Sequence, residues 1–105
     1  MDKRPIGVFD SGLGGLTVVK ALKNNLPNEP VLYFGDIARL PYGVKSRELI
    51  IEYSVQITEF LIQKGAKLII VACNTATAMA LEELRLRFKE TKIIGVIDLV
   101  HSKLI

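Results

Sequence analysis

Residues 68–78, Leu-Ile-Ile-Val-Ala-Cys-Asn-Thr-Ala-Thr-Ala (LIIVACNTATA), decide the fold. Leu68 to Ala72 is a continuous apolar run, as expected of a strand buried on both faces. Thr75 to Phe88 carries a helical pattern. Cys73, the single cysteine of the chain, stands at the junction. There the unpaired amide N–H groups of a helix start, together with the helix dipole, favour a thiolate. The same N–H groups, with the Asn74 and Thr75 side chains, make a cradle for a carboxylate or phosphate. Most lone cysteines are simply small buried hydrophobes. Position alone leaves the reactive and the structural readings of Cys73 both open.

Outward from this junction the same alternation repeats. Pro5 to Phe9 reads as a short buried strand ending at Asp10. After the glycine-rich DSGLGGLT turn, apolar residues at 16, 18, 19, 22 and 26 keep the helical period. Val31 to Phe34 is a second strand, followed by an irregular stretch from Gly35 to Lys45. Ser46 is placed to cap a long helix running to Lys64, with Leu49, Ile50, Tyr53, Ile57, Phe60 and Leu61 on one stripe. Gly65 stands where a helix-ending residue belongs. Ile93 to Ile97 is the fourth strand. Apolar strands alternating with amphipathic helices predict an α/β fold: a parallel four-stranded sheet with flanking helices, built from βαβ units.

The 105 residues suffice for one domain with a modest core. Half of them are hydrophobic, yet no apolar run reaches the length of a membrane span. The opening MDKRPIGVFD meets Gly7 and Asp10 too early for a signal peptide, so a cytoplasmic location is expected. One cysteine and one histidine form neither a disulfide nor a structural zinc site. The net charge of +3 is spread among acidic residues with no aromatic interleaving, which argues against nucleic acid as a partner.

In an open α/β sheet, ligands bind beyond the carboxyl ends of the strands. Three such ends carry polar residues: Asp10-Ser11, Gly35-Asp36 and Cys73-Asn74-Thr75. The loop after the second strand adds Arg39, Pro41, Tyr42 and Gly43. Gly12-Leu13-Gly14 begins a dinucleotide-binding fingerprint, and Asp36 falls where a ribose-binding acid would sit. Thr17, however, occupies the third glycine place. No Gly-Lys-Ser/Thr follows to make a Walker A loop. Gly12 takes the place of the second aspartate that a haloacid-dehalogenase-type phosphoryl-transfer site uses.

Residues 10–17 (DSGLGGLT), 35–43 (GDIARLPYG) and 72–76 (ACNTA), in this order at three successive strand ends, resemble the glutamate racemases of the aspartate/glutamate racemase family. The resemblance runs from about Ile6 to about Asp98. It implies a cofactor-independent isomerase in which two cysteines, on opposite faces of the substrate α-carbon, exchange a proton as thiolate and thiol. D-Glutamate from that reaction serves peptidoglycan synthesis, and hence cell-wall biogenesis and cell shape. Cys73 matches the first cysteine and Asp10 the acid that assists it. Asp10, Ser11, Tyr42, Gly43, Asn74 and Thr75 match substrate contacts, and no metal or cofactor is implied.

Two positions depart from the family pattern: Ile37 replaces a usual Thr, and Asp98-Leu99-Val100 replaces an acidic-Pro-Gly turn. The resemblance implies an N-terminal half, with residues 1–98 as the racemase domain and 99–105, including His101, as a tail. The second cysteine would then lie in another segment or in a second copy. An exposed sheet edge suggests homodimer formation, with Cys73 of each copy facing a shared cleft. The alternatives are an aspartate racemase, or a non-catalytic, amino-acid-binding or self-associating half-domain.

Overall fold

The computed structural model describes residues 2–12 and 14–96. Four strands alternate with three helices: β1 (Ile6–Asp10), α1 (Gly15–Asn25), β2 (Val31–Gly35), α2 (Arg47–Gln63), β3 (Leu68–Val71), α3 (Asn74–Arg87) and β4 (Lys92–Gly95). All strand pairs are parallel and the order is β2-β1-β3-β4. This is the four-stranded α/β sheet that the sequence predicts, with element ends moved by one or two residues. The expected boundary at Asp98, the 99–105 tail and His101 lie outside the described residues.

Strand period sorts the core into two layers. Ile6, Val8, Ile70 and Ile94 point to one face and meet Val18 and Leu22 of α1. Phe9, Ile69, Val71 and Ile93 point to the other, under Ile57 and Leu61 of α2 and Ala80 and Leu84 of α3. Burial on both faces is why these strands read as unbroken apolar runs. The chain passes from β1 to β2, then crosses back over β1 to enter β3. Helices α1 and α3 therefore leave neighbouring strands on opposite faces, which makes the carboxyl edge of β1 and β3 a topological switch point.

Local signals set the helix ends. Ser46 Oγ accepts the Leu49 N–H at 3.2 Å, and this N-cap starts α2 where the sequence places it. Gly65, at φ +94°, turns the chain out of α2 into β3. The stretch from Gly35 to Lys45 contains two single 3-10 turns, Ile37–Arg39 and Tyr42–Val44.

Two apolar residues depart from their expected stripes. Leu16 is 66% exposed, because position 16 lies across the helix from Val18, on the side away from the buried Gly15, Val18 and Leu22. Phe60, on the outer border of the α2 stripe, is 40% exposed and packs edge-on against Phe34 of the edge strand β2.

Ile70 is fully buried at the centre of the sheet. Ile70→Ala is expected to cost about 2–5 kcal/mol, the usual cost of such a core truncation. Ser46→Ala, which loses only a cap, should cost about 1 kcal/mol. Urea unfolding of the two variants checks both the sizes and their order.

Candidate active site

The backbone fixes Cys73 from both sides. Ala72 N–H bonds to the Phe9 carbonyl at 2.8 Å, continuing the β1–β3 ladder beyond Val71. One residue later the Cys73 carbonyl accepts the Thr77 N–H at 2.9 Å, the first bond of α3. Thr77 Oγ1 also donates to the Val71 carbonyl at 3.1 Å, tying the first turn of α3 to the end of β3. Cys73 is thus an extended N-cap residue held between a sheet and a helix.

Its side chain caps nothing, and the first turn of α3 carries no acid. The opening amides of the helix therefore lack a side-chain anion and remain suited to an external one. Asn74 is exposed and Thr75 half-buried beside them. Cys73 itself is buried among Phe9, Val71, Ala76 and Tyr42.

Tyr42 reaches this cluster from the second 3-10 turn, which packs against α3. Its phenol donates a short hydrogen bond to Asp36 Oδ2. Burial first, then the hydrogen bond and charge of Asp36, raise the Tyr42 phenol well above an ordinary tyrosine. The Cys73 charge adds to the same shift, with Arg39 opposing it. Gly43, next in the turn, is exposed, and the space where a side chain would stand is open.

Asp10 is organised differently. It ends β1 on the α1 face of the sheet, whereas Cys73 belongs to the α2/α3 face. Its carboxylate is only 2% exposed and fully engaged. Oδ1 accepts the Gly12 N–H at 2.9 Å and the Tyr33 hydroxyl at 2.8 Å. Oδ2 accepts the Gly14 N–H at 3.2 Å and, in a short bond, the Gly15 N–H. Those four donors fill the acceptor positions of a carboxylate.

Helix α1 has no side-chain cap of its own, so Asp10 supplies one from the preceding strand. The approach requires glycine at position 15, where a Cβ would stand 2.5 Å from Asp10 Oδ2. Ser11 follows, half-buried, at the mouth of this turn.

The edge thus brings Cys73, Asn74, Thr75 and the Tyr42–Gly43 turn together. It sets the Asp10 carboxylate into the neighbouring β1–α1 turn. Sequence reasoning missed Tyr33 and Thr77, which hide inside apolar or helical patterns. Only the strand register shows that Tyr33, level with Val8, points along the α1 face toward Asp10. Among the described residues no cluster of three His, Cys, Asp or Glu side chains is placed to hold a metal. Surface hollows of about 430 to 550 Å³ lie along α2 and α3; Thr77 lines one of them, and Asp10, Ser11, Tyr42, Gly43, Cys73, Asn74 and Thr75 line none.

Fold and site define a parallel α/β domain with a buried thiol and a helix start without a side-chain cap at its switch point. No family model matches the chain. The glutamate racemase of Microcystis aeruginosa is 53% identical over 93 residues, 89% of this chain and 33% of the relative. That of Syntrophus aciditrophicus is 56% identical over 94 residues, 90% of this chain and 34% of the relative. The crystal structure of glutamate racemase from Francisella tularensis, in complex with D-glutamate, superposes with a TM-score of 0.87 and 54% identity. That match covers 92% of this chain and 37% of the crystallised one. Over about nine-tenths of its length the chain is thus similar to glutamate racemases, at more than 50% identity. It spans about a third of the length of the curated relatives it matches.

The Asp10–Tyr33 bond has a pH signature. Burial, followed by the hydrogen bond and charge of Asp10, pushes the Tyr33 phenol up to about 12. A raised folded-state value gives stability that is complete below the unfolded tyrosine value of about 10 and fades as pH rises through about 12. Tyr33→Phe is expected to be less stable at neutral pH by about 1.5 kcal/mol, a hydrogen bond to a charged group. Its decline between about pH 10 and 12 should also be shallower than that of the unaltered chain. Tyr42 keeps part of the slope. Urea midpoints across that range test the assignment.

Proposed function

We propose that this chain forms one half of the active site of a glutamate racemase, without a cofactor, and that Cys73 is one of its two proton-transfer groups. In this reading the Cys73 thiolate takes the α-proton of one glutamate enantiomer, forming the S–H bond. The C–H electron pair passes into the substrate carboxylate as an enediolate. A second acid on the opposite face returns a proton to the α-carbon, giving the other enantiomer. The observation that carries the proposal is Cys73 at the N-cap of α3, beside amides that no side chain caps. The similarity to glutamate racemases supports it.

The remaining residues take parts that follow from their places. The first-turn amides of α3, with Asn74 and Thr75, bind the α-carboxylate and stabilise charge as the proton leaves. Tyr42 and the open backbone at Gly43 line the approach to the thiol, and Ser11 contacts the substrate from the β1–α1 turn. Asp10 assists by holding that turn and its amides in place. A direct part in proton transfer would require one of its four hydrogen bonds to open. The second acid-base group comes from the part of a racemase that this chain does not span, or from a second copy in a homodimer. Supply of D-glutamate for peptidoglycan in the cytoplasm belongs to the same reading. Among the described residues, no helix is long and apolar enough to cross a membrane.

Deuterium uptake at the α-carbon in heavy water tests the proposal. With L- and D-glutamate supplied separately and followed by NMR, a half-site with one base should exchange one enantiomer without inversion. Cys73→Ser should abolish that exchange. Exchange that survives Cys73→Ser, or no exchange into either enantiomer, would count against Cys73 as the base.

A further inference from the structure

We infer that Asp36 and Arg39 are positioning residues that latch the Tyr42–Gly43 turn over the Cys73 thiol. Asp36 follows directly on β2, and its N–H donates to the Asp10 carbonyl at 3.0 Å, so its backbone is anchored to the sheet. Its carboxylate is nearly inaccessible, at 6% exposure, and accepts the Tyr42 hydroxyl. Arg39 Nη1 stands 3.7 Å from the same carboxylate oxygen. That separation makes Arg39 a compensating charge, whereas the tyrosine hydroxyl makes the directional bond.

Arg39 is itself held from outside the loop. Its guanidinium lies 4.1 Å from the centre of the Tyr53 ring on α2, and the Tyr42 ring packs on Tyr53 at 6.0 Å. A strand end, a helix and a loop thus converge on one hydroxyl–carboxylate bond. The ring carrying that hydroxyl is 2% exposed and shares a core cluster with Cys73. Cys73 reaches solvent over only 9% of its surface. Lifting the turn would break a charge-assisted hydrogen bond and take an aromatic ring out of the core.

The inference rests on Cys73 being the reacting group of the proposed function. The latch then fixes where the Gly43 backbone stands relative to the thiol, and admission of substrate requires the turn to shift. Neither Asp36 nor Arg39 touches the substrate in this account.

Because Cys73 is the only cysteine, its alkylation by iodoacetamide, followed by mass spectrometry, reads the latch directly. Asp36→Ala and Tyr42→Phe should each speed alkylation by about tenfold, the effect of one lost charge-assisted hydrogen bond on a local opening. The double variant should be little faster than either single one, because both remove the same bond. Asp36→Asn keeps an acceptor for the Tyr42 hydroxyl and should stay nearer the unaltered rate. Amide exchange at Ile69 and Ile70, measured alongside, should not change. Unchanged alkylation in both Asp36→Ala and Tyr42→Phe would overturn the latch. So would acceleration that only tracks faster exchange in β3, since a merely structural role predicts that. If one variant fails to fold, the other decides. Failure of the racemase reading appears separately, as absent deuterium uptake with alkylation still under latch control.

Discussion

A parallel strand that runs straight into a helix leaves one residue belonging to both, and this site depends on that residue being Cys73. The ladder bond at Ala72 and the first helical bond at the Cys73 carbonyl fix the backbone on either side of the thiol. Thr77 ties the helix back to the strand through the Val71 carbonyl. A base that must meet a particular C–H bond gains from being carried by a sheet rather than a loop, because small displacements are costly to proton transfer. The helix that fixes the thiol also presents the amides that receive the substrate anion in the proposed reaction. One local structure thus supplies both position and electrostatics.

The other two strand ends solve a different problem. Each places a buried carboxylate on the same edge, and a buried charge without partners is strongly unfavourable. Asp10 is satisfied by three backbone amides and one tyrosine hydroxyl, Asp36 by one tyrosine hydroxyl and the nearby Arg39. The first arrangement closes the β1–α1 turn, and the second holds the Tyr42 turn. The acids shape two turns on the same edge as the thiol, and their partners are what let them remain buried.

The fold was legible because its strands are buried on both faces and its helices are amphipathic, so each period stands out in the sequence. The Ser46 cap and the Gly65 exit were legible for similar reasons, since few residue types suit those positions. Leu16 was misplaced because the buried stripe of α1 starts at Gly15, whose lack of a side chain hides it from an apolar pattern. The family motifs marked the edge residues, but not which way their side chains turn. That Asp10 faces α1 while Cys73 joins the α2/α3 core follows from strand alternation once the register is known. The partnership of Tyr33 with Asp10 spans 23 residues of sequence and has no local signal. The same holds for Arg39 over Tyr53, which requires α2 to dock beside the loop.

The central claim is that three strand ends form a single receptor for an amino acid beside Cys73. Titration of the isotope-labelled chain with D-glutamate, followed through backbone amide shifts, tests it most directly. The account predicts saturable shifts at Asn74 and Thr75, joined by Ser11 and Gly43, with the amides at the opposite edge of the sheet unmoved. Shifts centred elsewhere, or none at Asn74 and Thr75 as glutamate approaches saturation, would contradict it.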